Sequence, residues 1–226
     1  MAGPLPLPWG AGFPGRLAKP HRETKIGACA PPRLAIIVPS VGRGIPMGTR
    51  TAAGLEQILE QREKDSGPSG SEWLGQVAEE IGRTFAVQPD EVAILELLPS
   101  GKWLKFVLPE KLRQIGSIPL TSTTALAART ARERRTDIVN NFALARHASI
   151  FEAVPMGRRE GQSIQKIMSA PILRGDQVIG VTQISRKALS ITAAGPDFTA
   201  KDLTDLQGLN HLLGRFLQLC QKQSSE

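Results

Sequence analysis

Residues 169–187, SAPILRGDQVIGVTQISRK, decide how the chain is read. Residues 170–174 are short and apolar and read as a strand. Gly175-Asp176 makes the turn, because glycine takes the positive φ that a tight hairpin needs. Residues 177–185 are rich in Val, Ile and Thr and read as the return strand. One face of that strand would carry Val178, Gly180, Thr182 and Ile184. The other would carry Ile179, Val181, Gln183 and Ser185. Neither set is cleanly polar, so both faces are expected to be covered, as in the middle of a sheet.

Past the hairpin come a basic pair, Arg186-Lys187, a Gly/Pro loop, and then Asp197-Phe198-Thr199-Ala200-Lys201-Asp202-Leu203. Thr199 is a natural N-cap with Asp202 at capping-box spacing, and Phe198 with Leu203 has the spacing of a hydrophobic staple. Along the helix that follows, Leu206, Leu209, Leu213, Phe216 and Cys220 are spaced 3, 4, 3 and 4, a heptad seam. Such a seam serves a helix-mediated homodimer or is buried within one chain. The homodimer is the expectation.

Upstream, residues 51–64 have apolar positions at helical spacing and precede a breaker, Ser66-Gly67-Pro68-Ser69-Gly70. Ser69 and Glu72 could form a capping box for a helix to about Phe85, with Leu74, Val77, Ala78, Ile81 and Phe85 on one stripe. Residues 92–98 (VAILELL) read as a buried central strand, a turn follows, and 103–108 pairs back. Residues 109–115 are a linking turn or short helix. Ile118-Pro119-Leu120 is at most an edge strand, since proline cannot donate to a central ladder. Thr121-Ser122-Thr123-Thr124 offers N-caps for a helix through Ala131. Residues 136–141 read as a strand, 142–154 as a short helix and loop, and 156–161 as a polar loop.

The order of apolar strand, Gly turn, long strand with a basic pair, loop and FTxxDL helix resembles the C-terminal half of a GAF domain. The resemblance extends back to about Ser71. It implies an α+β fold: a six-stranded antiparallel sheet, terminal helices on one face, short helices and loops on the other. Cyclic-nucleotide-type GAF domains carry Asn-Lys…Phe-x-x-x-Asp-Glu here. Lys187, Phe198 and Asp202 match it, while Arg186 replaces Asn and Leu203 replaces Glu. Capping, stapling and a Lys187–Asp202 ion pair would account for the same three residues structurally.

The net charge of +7 is concentrated early: residues 1–50 hold seven Lys/Arg and one Glu, leaving the remainder nearly neutral. A near-neutral domain attracts phosphate weakly, so nucleic acid is not expected as a partner. Residues 1–50 also hold nine of the 17 prolines and eight of the 22 glycines. They read as a disordered basic tail, or, before Met47, as translated upstream sequence from a misplaced start. Residues 51–70 then read as a short helix and linker, and 71–222 as the folded domain. The two cysteines, Cys29 and Cys220, imply no disulfide framework and suit a reducing cytoplasm. Neither a membrane span nor a signal peptide is expected.

The resemblance places a ligand between the sheet and the connections at 121–165. Candidate contacts are Thr121, Ser122, Thr123 and Thr124 at a helix start, with Asn140, Asn141 and His147. Each has a plainer role as a cap, a turn residue or a hydrogen-bonded imidazole. His147 alone is a weak haem ligand, and no cysteine is available for bilin attachment or for the thiol chemistry of the GAF-type methionine sulfoxide reductases. GxSxG, HExxH, P-loop and GxGxxG-after-strand signatures are missing. The expectation is therefore no enzyme, no metal and no cofactor beyond an unidentified small molecule. A stand-alone sensory module would act through dimerisation or through a partner protein in trans. The alternative is a ligand-free structural or dimerisation module.

Overall fold

The computed structural model describes residues 47–64, 71–142 and 162–223. The hairpin forms at the expected place. β5 (Ser163–Arg174) and β6 (Gln177–Ala188) pair antiparallel around Gly175, whose φ is +59°. β1 (Val92–Leu97) lies beside β6 and pairs back with β2 (Trp103–Leu108). β3 (Ser117–Pro119) and β4 (Asp137–Val139) are short and close the two edges. The sheet is antiparallel throughout and has the order β3-β2-β1-β6-β5-β4. Pro119 thus sits on an edge strand, where its missing donor is harmless.

β5 begins seven residues earlier than the expected start at Ala170. Gln165 and Lys166 gave this segment a polar look, yet both are buried. Each is satisfied over a long sequence distance, which a local pattern does not reveal. Gln165 Nε2 donates to the Ala188 carbonyl at 3.0 Å, and Lys166 Nζ donates to Gly195 O at 2.6 Å and Asp197 Oδ1 at 2.7 Å.

One face of the sheet carries α1 (Met47–Lys64), α2 (Glu72–Phe85) and the last helix, α5 (Asn210–Gln223). Ile94, Met168, Ile172 and Ile184 join Leu55, Leu59, Val77, Ile81 and Phe216 in one buried cluster. Leu55 and Leu59 are fully buried, so α1 belongs to the same core as residues 71–222 and is more than a linker. The opposite face carries α3 (Leu126–Glu133), where Leu95, Phe106 and Val181 meet Ala127, Ala128 and Ala131. Both faces of β6 are covered, as its mixed pattern implies.

Three local expectations are corrected. α2 starts after Ser71, whose side chain makes no cap bond, and Ser69 lies outside the described residues. α3 starts after Ala125, also without a side-chain cap. The chain turns first at 119–122, where Ser122 N donates to Pro119 O, and Ser122 Oγ then accepts from Ala125 N at 3.1 Å. The terminal helix is not continuous: α4 (Ala200–Gly208) ends at Leu209 and α5 restarts at Asn210. The Asn210 side chain accepts from Leu173 N and donates to Pro171 O, which fastens the break to β5.

The break redirects the heptad seam. Leu206, Leu209, Leu213, Phe216 and Cys220 are all buried in the chain's own helix-face core. That spacing serves the sheet and α1, and these side chains offer no surface to a second copy.

Candidate functional site

A cavity of about 320 Å3 lies on the α3 side of the sheet. β1 and β2 supply its floor through Ala93 and Phe106, and β5 adds Ile164 and Ile167. β3 supplies Ile118, the segments flanking it supply Leu112 and Ala125, α3 begins with Leu126 on the wall, and Phe142 follows β4. These walls are apolar because strand side chains alternate and this face otherwise packs against α3.

One end is polar. Gln183, Ser185 and Lys187 are alternate residues of β6 and all reach the cavity, where they meet Asp90 and Glu91 from the turn preceding β1. The polar end is closely cross-bonded. Ser185 Oγ donates to Glu91 O at 3.1 Å. Glu91 accepts Lys187 N on Oε1 at 2.5 Å and Gln88 N on Oε2 at 2.8 Å. Lys187 Nζ donates to Asp90 O at 2.5 Å and lies 3.5 Å from Asp90 Oδ2. Behind the cavity wall, Gln183 Nε2 reaches Ser169 Oγ, which in turn bonds Thr130 Oγ1 at 2.8 Å in a fully buried pair.

The expected site residues are distributed differently. Ser122 lines the cavity. Thr121, Thr123 and Thr124 precede α3 and are exposed. Asn140 holds the backbone of Phe198, donating to its carbonyl and accepting from its N–H, each at 2.9 Å. It positions the approach to α4 rather than the cavity. Asn141 is exposed. His147 lies outside the described residues. Among the described residues no group of His, Cys, Asp and Glu could hold a metal ion.

The matched motif residues also change roles. Lys187 does not pair with Asp202. Asp202 accepts Thr199 N and Oγ1, and Thr199 Oγ1 accepts Asp202 N, completing the capping box. The reason is the two-residue period of a strand. Arg186, not Lys187, points to the helix face, where its guanidinium carbon sits 4.7 Å from the Phe198 ring centroid. Arg186 also donates to Phe85 O and Ala86 O at the end of α2. Lys187 is thereby turned to the cavity. The cavity-lining polar residues not singled out as site candidates in the sequence, Gln183 and Ser185 with Asp90 and Glu91, had a partial signal: Gln183, Ser185 and Lys187 are a polar i, i+2, i+4 run on one face of the strand.

Cys220 packs in the helix-face cluster, on the other side of the sheet. Burial pushes its thiol up to about 12, with a contribution from the negative charge of Glu96. Such a thiol is a poor nucleophile. Cys29 lies outside the described residues.

Residues 71–217 match the model of the family described as GAF domain. The chain belongs to the GAF domain family. Its members are generally sensory or regulatory. The GAF domain of an Acinetobacter phosphoenolpyruvate-protein phosphotransferase is similar at 14% identity and a TM-score of 0.54, covering 80% of this chain and 98% of that one. Residues 122 to 287 of a methyl-accepting chemotaxis protein are similar at 16% identity and a TM-score of 0.52, covering 72% and 96%. A free methionine-R-sulfoxide reductase from Neisseria meningitidis, solved with its substrate, is similar at 14% identity and a TM-score of 0.50, covering 77% and 92%. At these identities the likeness concerns the fold alone, and the last example shows that the fold also hosts enzymes. No curated protein matches the chain. Among the described residues no helix is long and apolar enough to cross a membrane.

Proposed function

We propose that this GAF domain is a regulatory module that takes a small molecule into the α3-side cavity and passes its occupancy to a partner protein. The observation that carries the reading is the cavity itself, about 320 Å3 with apolar walls and one polar end. That combination of size and lining suits a small-molecule site, for which volumes run from about 300 to 1,000 Å3. Enzymatic thiol chemistry finds no support in Cys220, which is buried on the far side of the sheet. Self-association through the leucine seam is not part of the reading, because the seam is packed inside the chain. The sparse cysteines favour a reducing compartment such as the cytoplasm.

A thermal-shift screen against small amines, carboxylates, cyclic nucleotides and amino acids tests the proposal. A ligand present at 100 times its dissociation constant stabilises the fold by about 2.7 kcal/mol. Ala93→Phe fills the floor of the cavity and is expected to abolish that shift. A hit that shifts Ala93→Phe as much as the native chain would place binding elsewhere. A screen without hits would favour the ligand-free module.

A further inference from the structure

We propose that the arginine-rich end of α3, residues 129–135, docks an acidic segment of a partner protein. This rests on the regulatory reading for the need of a partner, and its test uses no cavity ligand, so the two readings fail separately. Arg129, Arg132, Arg134 and Arg135 fall within seven residues, and with Glu133 and Asp137 they leave a formal charge of +2. Residues 51–226 as a whole are nearly neutral, so this positive charge is local. Ala127, Ala128 and Ala131 turn inward to the sheet, which leaves the arginines on the outer side of the helix and in the turn after it. Arg132, Arg134 and Arg135 are exposed.

The carboxylates within the cluster do not neutralise it. Arg129 and Arg135 converge on one of them, with Nη2 atoms 3.3 Å from Asp137 Oδ2 and 3.2 Å from Asp137 Oδ1 respectively. Glu133 adds a contact to Arg135 at 3.5 Å. Arg132 donates to the carbonyls of Leu120 and Ser122 and has no carboxylate partner among the described residues. Arg134 makes no side-chain hydrogen bond or ion pair among them. Its backbone is left-handed, with φ +51° and ψ +33° at the C-cap of α3, a place that favours glycine. Local structure therefore gives no reason for an arginine there, and a side chain held against the backbone preference without a partner inside the chain is available to one outside it. Nucleic acid fits less well, because a polyanion tracks along a longer positive surface than one helix end of a near-neutral domain. α3 also walls the cavity with Leu126 and Ala127, so the docking surface and the cavity share one helix.

The test is fluorescence anisotropy of the full chain with a labelled Glu-Gly repeat peptide, its Gln-Gly counterpart and a single-stranded oligonucleotide of the same formal charge as the first. The Glu-Gly peptide is expected to bind about tenfold or more tightly than the Gln-Gly peptide, and more tightly than the oligonucleotide. Arg134→Gly together with Arg135→Gln is expected to lower that affinity by about tenfold. Arg134→Gly alone is expected to weaken binding while the melting temperature holds or rises, because glycine suits the left-handed backbone. Arg174→Gln removes an exposed charge at the β5–β6 hairpin and is expected to leave the affinity within about twofold of the native chain. A loss with Arg174→Gln as large as that of the double variant would overturn the proposal, since the attraction would then be diffuse. No binding of the Glu-Gly peptide to the native chain, or an oligonucleotide bound as tightly as that peptide, would overturn it as well.

Discussion

Arg186 and Lys187 are adjacent in the chain and act on opposite sides of the sheet. Arg186 grips the last carbonyls of α2 and stacks on Phe198, while Lys187 closes the polar end of the cavity on Asp90. Arginine suits the first task because its planar fork reaches two carbonyls and an aromatic face together. Replacing it with methionine keeps much of the apolar stem and removes both hydrogen bonds. Arg186→Met is expected to cost about 1–3 kcal/mol in urea unfolding, with affinity for any cavity ligand little changed. A large loss of ligand affinity at unchanged stability would contradict this division of labour. Gly180 shows the tightness of the same strand. A Cβ there would collide with the Leu95 carbonyl oxygen and come 2.6 Å from Leu217 Cδ1. Glycine lets α5 approach the middle of the sheet.

Elements differ in how plainly the sequence announces them. The hairpin, β1, β2 and α2 are legible because local pattern and global role agree. The first half of β5 is hidden, because Gln165 and Lys166 find their partners more than twenty residues away. The α4–α5 break is hidden too, because the Asn210 side chain is satisfied by the backbone of a distant strand. The candidate site was partly legible. Its place between the sheet and the α3 connection followed from the resemblance. The Thr121–Thr124 cluster and Asn140 drew attention as polar residues, yet all three threonines are exposed and Asn140 braces a loop. The leucine seam is the sharpest case, since periodicity alone cannot tell a dimer face from an intrachain core. Leu213 is 1% exposed. Leu213→Ala is therefore expected to cost about 2–5 kcal/mol, with no change in the mass seen by light scattering. A folded variant of lower mass and near-native stability would restore the seam to a dimer interface.

At the scale of the molecule, the sheet separates two kinds of packing. The helix face is dense and built from large side chains of α1, α2 and α5, with Trp73 and Phe216 rings 5.1 Å apart. On the other face α3 contributes only the small side chains of Ala127, Ala128 and Ala131 to the buried cluster, and the cavity lies beside them. The central claim is that this cavity is a small-molecule site. It is tested most directly by methyl NMR of the full chain titrated with a fragment set of small amines, acids and alcohols. The account predicts that binding fragments shift Ile118, Ile164 and Ile167, which line the cavity, and leave Ile81, Ile94 and Ile184 in the helix-face core largely unmoved. Shifts centred on the helix-face isoleucines, or no saturable shifts at the cavity isoleucines with any fragment, would contradict it.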